Sequence, residues 1–333
     1  MKRLLTFIIT IFLITPAGGS AEMTGKCQME RTDRMNHYLY AAIDRETDII
    51  YFWVPEIWGL SSIYQYHPEF GFRRLSILWN SAVKTMIVSN GMVYYTLYNQ
   101  LDATGISANL YSLNPRTGLT YRLLKNEDVR DIYAAGDGKL LVHIMGGEND
   151  GHPAGFYFYD LKHEKLTRQW EGFQGVEFGE KGVSLRRTTD DSWVYYDYSL
   201  GSVAFDTDFH GGTDSSVCIF SPNYWIEKPY SLSVEGIVYL NGDRIYTVEK
   251  GVGVTSNERY VVWWLKTDEE QQIHVLDVYA SKQVPQIKTY EVVTSSNIFI
   301  LDRYAVMKRD DNTCNITMID LDSGEISLIS PAK

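Results

Sequence analysis

A short apolar stretch that ends in Asn, Asp or His recurs seven times along this chain of 333 residues. The seven copies are residues 63–67, 110–114, 156–160, 193–197, 237–241, 273–277 and 316–320. In four copies a glycine follows four positions after the polar residue, namely Gly71, Gly118, Gly201 and Gly324. Successive polar residues are 47, 46, 37, 44, 36 and 43 positions apart. This period is typical of a repeat that builds one small antiparallel sheet per unit.

The second unit divides into four strands, over residues 83–89, 92–98, 110–113 and 119–124. Asn90-Gly91 between the first two strands is a strong hairpin signal, because both residues of such a turn have positive φ. The later turn from Asn114 to Gly118 carries a proline suited to a type I turn and a glycine suited to a left-handed position. Each unit is therefore predicted to be two successive hairpins.

The third strand of each unit distinguishes between architectures. Residues 156–159 (Phe-Tyr-Phe-Tyr) and 193–196 (Trp-Val-Tyr-Tyr) are apolar or aromatic on both faces, which is typical of a sheet covered on both sides. The blades of a β-propeller cover one another in this way. We therefore predict an all-β, seven-bladed β-propeller of four-stranded antiparallel blades, as one domain over residues 36–330. Six blades and two stacked sandwiches are the alternatives.

The strand pairs of the second unit carry a family resemblance. Met92-Val93-Tyr94-Tyr95, the stretch 110–114 and Thr117-Gly118 look like blades of secreted bacterial β-propellers of unknown function. They are also similar to the YWTD propellers of lipoprotein receptors and to the propeller domain of TolB. The chain lacks an intact Tyr-Trp-Thr-Asp motif, a WD40 ending, a kelch glycine pair and a sialidase Asp-box. The resemblance therefore implies a fold and carries no activity.

Residues 1–21 are predicted to be an export signal, because two basic residues precede an apolar run over 4–14 and small residues end the segment. A membrane anchor is the alternative, but a spanning helix needs about 20 apolar residues. We expect a secreted or periplasmic protein whose mature chain has no integral membrane segment and starts with a lead-in over 22–35. The net charge of -11 argues against nucleic acid as a partner.

The three cysteines allow one disulfide bond in an exported protein. Cys27 follows the signal and Cys314 opens the final unit, so a bond between them would join the two ends of a closed ring. Three reduced cysteines also fit the sequence. Cys218 stands in an apolar strand and is expected to be buried.

Two polar segments are candidate sites, because the loops that open on one face of a propeller commonly meet ligands. The expected inter-blade loop over 206–216 contains Asp206, Asp208, His210 and Asp214. Its three carboxylates are candidate calcium ligands, and His210 is a candidate ligand-binding residue. Its order of ligands is not that of an EF-hand. A solvated loop capped by Asp side chains is the plainer interpretation.

The loop over 146–155 supplies further candidates for ligand binding, Glu148, Asp150 and His152. Trp58, in the loop after the second strand of the first unit, is a candidate for stacking on a sugar or an apolar partner residue, because Trp is enriched at binding hot spots. A flexible connection and packing over the blade edge are the respective structural interpretations.

No nucleophile elbow, zinc-protease motif, P-loop or dinucleotide-binding motif occurs in the sequence. We therefore expect a binding module without catalysis and without a cofactor other than calcium, whose ligand is a protein, a peptide or a glycan. The alternative is a polysaccharide hydrolase or lyase with loop carboxylates as acid and base. A structural part of an envelope assembly is a third hypothesis.

Overall fold

The computed structural model describes residues 39–56, 60–79, 81–99, 108–125, 127–134, 138–145, 151–170, 173–178, 182–198, 202–210, 215–221, 223–229, 235–249, 252–266, 271–280, 286–292, 298–309 and 315–331. The predicted export signal, the lead-in and the predicted Cys27–Cys314 bond lie outside these ranges and stay predictions. Among the described residues, no helix is long and apolar enough to cross a membrane.

The described chain forms seven antiparallel sheets, each made of four consecutive strands in sequence order. Blade 1 contains β1 (Tyr40–Asp44), β2 (Ile49–Pro55), β3 (Leu60–His67) and β4 (Gly71–Trp79). Blade 2 contains β5 (Ser81–Ser89), β6 (Met92–Asn99), β7 (Ala108–Leu113) and β8 (Thr120–Leu123). Blade 3 contains β9 (Val129–Ala134), β10 (Lys139–Ile144), β11 (Gly155–Asp160) and β12 (Lys165–Gln169). Blade 4 contains β13 (Phe173–Phe178), β14 (Gly182–Arg187), β15 (Ser192–Asp197) and β16 (Ser202–His210).

The remaining three blades follow the same plan. Blade 5 contains β17 (Ser215–Ser221), β18 (Tyr224–Pro229), β19 (Gly236–Leu240) and β20 (Asp243–Val248). Blade 6 contains β21 (Gly253–Ser256), β22 (Tyr260–Lys266), β23 (Gln271–Asp277) and β24 (Ile287–Val292). Blade 7 contains β25 (Ile298–Leu301), β26 (Tyr304–Lys308), β27 (Ile316–Asp320) and β28 (Ile326–Ile329). The prediction of a seven-bladed β-propeller is confirmed, and every repeat copy falls on a third strand.

Apolar packing joins each blade to the next. Seven separate clusters of buried residues each span one of the seven junctions, including the junction between the last and the first blade. At that closing junction Phe52 of blade 1 and Val306 of blade 7 are both fully buried. Both flanks of a blade are thus covered, which confirms the interpretation of the two-sided apolar strands. Such side chains contribute roughly 1.5–3 kcal/mol each when buried.

The first strands of neighbouring blades lie side by side, as β1 does with β5 and β5 with β9. These strands surround the axis, and the fourth strands form the rim. In an antiparallel blade the first strand starts at the end where the second-to-third loops and the inter-blade connections lie. We call this end the loop face. The opposite end, which carries the short turns, is the turn face.

In four of the seven repeat copies, the polar residue that ends the copy has a structural role on the turn face. One of its side-chain oxygens accepts backbone N–H bonds from two and three residues ahead, at Asn114, Asp160, Asp277 and Asp320. Gly118 and Gly324 have φ of 71° and 81°, which glycine adopts without strain. Asn90 and Gly91, with φ of 52° and 68°, form the predicted hairpin turn.

Two arginines on the turn face join neighbouring blades. Arg259 binds Asp277 of its own blade at 2.7 Å and Asp322 of blade 7 at 2.9 Å. Arg303, at the corresponding turn of blade 7, lies 3.3 Å from Asp48 of blade 1. Each guanidinium also lies over the ring of the tyrosine that follows it. The carboxylates of the turn face therefore hold turns and connect blades.

One predicted loop is wrong. We expected an inter-blade loop over 206–216, but β16 continues to His210, with Asp206 opposite Val194 and His210 opposite Ser192. Apart from Thr207, residues 203–209 alternate between apolar (Val203, Phe205, Phe209) and small or polar residues, which is typical of a strand. The acidic composition of the segment concealed this alternation. Cys218 is buried, as predicted.

Candidate functional site

Besides β17, which has a bulge at Phe220 near its end, three innermost strands carry a β-bulge. The extra residues are Lys84 in β5, Arg130 in β9 and Gln174 in β13, so they belong to three successive blades. Each bulge lies in the first half of its strand, toward the loop face. A bulge redirects a side chain that regular alternation would bury between blades. In β5 and β9 the bulge therefore places a long basic side chain at the mouth of the ring.

The first two bulges bring together a group of charged residues, Lys84, Arg130, Asp131 and His143, which we call the blade 2–3 cluster. Lys84 Nζ lies 2.7 Å from Asp131 Oδ1, across the junction between the blades. His143 Nδ1 lies 3.4 Å from Asp131 Oδ2, and Arg130 Nε lies 3.7 Å from the same oxygen. Asp131 is thus the centre that three basic side chains surround.

Asp131 is largely buried, with 17% of its side chain exposed. Burial by itself raises the pKa of this carboxyl group, but hydrogen bonds with His143 and Lys84 outweigh burial and hold the pKa of Asp131 below its ordinary value. The carboxylate is therefore ionised at neutral pH, and it fixes the positions of Lys84 and His143.

A buried threonine connects the two bulges. The Thr96 hydroxyl accepts the backbone N–H of Thr85, which follows Lys84, and donates to the carbonyl oxygen of Arg130, each at 3.3 Å. The Thr85 hydroxyl lies 2.9 Å from the Thr96 hydroxyl. Thr96 is fully buried. Backbone groups that the bulges remove from the strand ladders are thus satisfied, and the two bulges are held in one geometry.

Aromatic side chains support the cluster. The His143 ring stacks on Phe156 with centroids 4.5 Å apart, and Lys84 Nζ lies 5.8 Å from the centre of the Tyr98 ring. Arg130 differs from its neighbours, because 46% of its side chain is exposed. Its Nη1 atom contacts only the Met145 sulfur, at 3.7 Å, within the part of the chain that the structure describes. Arg130 is therefore the member of the cluster that has donors available to a ligand.

His152, a predicted ligand-binding residue, lies on the loop face. Its Nδ1 atom is 2.6 Å from Glu127 Oε1, and its backbone N–H donates to Glu127 Oε2 at 3.1 Å. The ring meets Tyr157 edge-on, and the Tyr157 hydroxyl donates to the carbonyl oxygen of Pro153. These contacts attach the loop between β10 and β11 to the connection that enters blade 3, close in sequence to Arg130.

The other predicted site residues divide into two groups. Trp58, Glu148, Asp150 and Asp214 lie outside the described residues, so their roles stay predictions. Asp206, Asp208 and His210 belong to β16, where the structure describes the backbone and not the side chains. Among the described residues, no three His, Cys, Asp or Glu side chains are placed to hold a metal ion. The calcium site therefore stays a prediction.

The residues of the blade 2–3 cluster were absent from the predicted site. A signal for them exists in the sequence, since Lys84 interrupts the apolar run Ala82-Val83-Lys84-Thr85-Met86, and Arg130-Asp131 interrupts another. A charged residue inside a strand that packs on both faces needs a partner or an exit to solvent. Such interruptions of innermost strands are more informative than polar loops.

No protein-family model and no curated protein matches this chain. Solved structures match it, and one is a prolyl endopeptidase with a TM-score of 0.61 and 11% identity over 89% of this chain and 49% of that one. An acylaminoacyl peptidase from Pyrococcus horikoshii matches with a TM-score of 0.58 and 9% identity over 88% of this chain and 52% of that one. The chain thus spans about half the length of these two peptidases.

A third structural neighbour matches over nearly its whole length. The β-propeller domain of the Trilobed protease from Pyrococcus furiosus has a TM-score of 0.52 and 14% identity, over 88% of this chain and 97% of that domain. That domain has an open velcro topology. At these identities the three neighbours establish the β-propeller fold and nothing about activity.

Proposed function

We propose that this protein is an exported binding module without catalysis, which recognises a protein or peptide ligand at the loop face through the blade 2–3 cluster. The observation that carries the proposal is the exposed Arg130, set on a bulge beside the ion-paired Lys84 and Asp131. Because these side chains belong to strands at the axis and not to loops, the site is rigid before the ligand arrives.

The chemistry of the cluster favours a carboxylate on the ligand. The Lys84 ammonium group is already paired with Asp131 at 2.7 Å. Arg130, by contrast, makes only long contacts of 3.7 Å to described residues. A guanidinium group binds a carboxylate through two parallel hydrogen bonds, which fixes both position and direction. An acidic side chain or a C-terminal carboxylate of a peptide therefore suits this position best.

Peptide-array binding tests the proposal. Purified wild-type protein and an Arg130→Gln variant are applied to an array that pairs each peptide with an amide counterpart, in which Asp, Glu and the C-terminus are neutral. We expect a set of peptides that wild type binds in the acidic form, and about tenfold weaker binding by Arg130→Gln, roughly 1.4 kcal/mol. Arg116→Gln is the control, because Arg116 is an exposed arginine on the turn face.

Three outcomes contradict the proposal. The first is that no peptide prefers the acidic form. The second is that Arg130→Gln and Arg116→Gln weaken binding equally, since an overall charge effect then explains the binding. The third is a glycan array on which Trp58→Ala abolishes binding and Arg130→Gln does not, which would move the site to the loop of blade 1 and the ligand to a sugar.

A further inference from the structure

Positive charge is concentrated in one part of this acidic chain. Residues 70–126 contain six Lys or Arg and one Asp, a net charge of +5, so the rest of the chain carries -16. The six are Arg73, Arg74, Lys84, Arg116, Arg122 and Lys125. This part comprises the outermost strand of blade 1 and all four strands of blade 2. It is therefore the region of the surface that attracts an acidic partner most strongly.

The rim strand of blade 1, β4, exposes both basic and large apolar side chains. It is nine residues long, and both Arg73 and Arg74 are exposed. Ile77 and Trp79, further along the same strand, expose 57% and 63% of their surface. Proteins usually shorten, charge or cover a rim strand, because its free N–H and C=O groups pair readily with another chain. The charges of Arg73 and Arg74 protect one half of β4, but Ile77 and Trp79 in the other half are open to solvent.

A bulge at Leu75 brings Arg74 to the same flank of β4 as Ile77 and Trp79. Without it, alternation would place Arg74 on the flank opposite Ile77 and Trp79. The bulge adds one residue, so all three lie on one flank of β4. Their partners in β3 are every second residue, Tyr64, Ser62 and Leu60. Among the described residues Arg74 pairs only with Glu56, 3.8 Å away. The Arg74 side chain is half exposed, so a carboxylate of a partner can replace this contact.

We propose that the outer edge of β4 binds an extended acidic segment of a partner protein by strand addition. The segment runs antiparallel to β4, so its first half places apolar side chains beside Trp79 and Ile77, and its second half places a carboxylate on Arg74. Strand addition uses backbone groups of the rim that a lipid surface cannot satisfy, which favours a polypeptide over an anionic membrane. This surface is distinct from the blade 2–3 cluster.

Fluorescence anisotropy with a defined probe tests this inference. The probe is a labelled ten-residue peptide in which Thr alternates with Val in the first half and with Glu in the second half. We expect saturable binding to the wild-type chain below about 1 mM and at least about tenfold weaker binding by Arg74→Glu and by Trp79→Lys. The peptide with its two halves exchanged, and the peptide with Lys in place of Glu, should bind weakly.

Two variants match these changes elsewhere on the molecule. Arg122→Glu makes the same charge change on the rim of blade 2, and Leu328→Lys makes the same apolar-to-basic change on the rim of blade 7, where Leu328 is 55% exposed. Both should bind the probe within about twofold of the wild-type chain, a difference near 0.4 kcal/mol. Hydrogen exchange should slow at backbone N–H groups within 71–79 when the probe is bound.

The inference is overturned if the wild-type chain does not bind the probe, or if Arg122→Glu weakens binding as much as Arg74→Glu. Binding to vesicles of phosphatidylglycerol and phosphatidylcholine that Trp79→Lys abolishes, without protection of 71–79 by the peptide, would assign the surface to a membrane. A dimer by sedimentation that Arg74→Glu dissociates would assign it to a second copy of the chain. Variants of Arg130 test the proposed function separately.

Discussion

The turn face and the loop face both carry charged side chains, but the two sets are organised differently. On the turn face, Asp277 and Asp320 occupy the same place in successive units, and each accepts the same two backbone N–H bonds. On the loop face, Lys84 and Asp131 meet at one junction, between blades 2 and 3. One set recurs with the repeat, and the other interrupts it.

This difference separates two kinds of polar residue. Every blade needs a tight turn after its third strand, so a residue that recurs at that turn solves a problem of folding. A buried ion pair at one junction solves no problem that the other junctions share. Replacing such a pair by apolar residues is often neutral or stabilising. The blade 2–3 cluster is therefore the stronger candidate for function, and the turn-face carboxylates are scaffold.

The largest expected effect is on the stability of the closed ring, because both faces depend on it. Phe52 is fully buried at the junction of blades 7 and 1. Phe52→Ala should lower the free energy of unfolding by about 3–5 kcal/mol, because it leaves a cavity at the junction that closes the ring. Calorimetry or circular dichroism measures the shift in melting temperature. Leu119→Ala, at a residue 54% exposed, is the control, and an equal shift for both variants would contradict apolar closure.

The second prediction tests whether Thr96 holds the bulges of β5 and β9 in one geometry. Thr96→Val keeps the side-chain shape but removes the hydroxyl that joins Thr85 and Arg130. We expect a loss of about 1–3 kcal/mol in urea unfolding, because buried backbone groups lose partners. Ligand binding at Arg130 should weaken in parallel. Thr47→Val, in an exposed turn, should change neither quantity.

The stability of the protein in acid should depend on Asp131, the carboxylate of the blade 2–3 cluster. The folded-state pKa of Asp131 lies below its unfolded value, so its stabilising contribution is present at neutral pH. This contribution is lost as the pH falls below about 4 toward the folded-state pKa. Asp131→Asn should be less stable than wild type at pH 7, and the gap should narrow in acid. Asp243→Asn, at an exposed residue, is the control. A gap that is constant with pH would contradict the ionised ion pair.

A smaller effect should come from the repeated turn. Gly324 has φ of 81°, so Gly324→Ala should cost about 1–2 kcal/mol of stability by thermal unfolding. Gly324→Asn should cost less, because Asn adopts the left-handed region more readily. Neither change should alter ligand binding at the loop face. A Cβ at position 324 would stand 3.3 Å from the Tyr290 hydroxyl. If both variants are equally destabilised, this contact is the cause and the backbone conformation is not.

The smallest effect should come from the exposed ion pairs between blades. Arg303 is 41% exposed beside Asp48, and exposed pairs contribute about 0–1 kcal/mol. Arg303→Gln should therefore lower stability slightly in low salt and have no effect near 1 M salt, where charges are screened. Arg116→Gln is the matched control. A loss above about 2 kcal/mol would show that these pairs close the ring together with the apolar junction.

Local pattern was sufficient to predict the blades. The prediction placed the strands of the second unit within two residues of β5, β6, β7 and β8, because alternation, apolar runs and turn residues are properties of neighbouring positions. The same reasoning failed at β16, where acidic residues in an alternating strand were interpreted as a loop. It also favoured polar loops as sites, although the structure places a charged cluster on innermost strands.

The sequence by itself determined the number of repeat units, the third strand of each unit and the turns that join the strands. The tertiary structure alone decided that Lys84 of one blade meets Asp131 of the next, and that a bulge brings Arg74 to the flank of Trp79. The reason is physical. Periodicity encodes which side of a strand is buried, whereas bulges and ion pairs depend on the register between strands and on the packing of separate blades.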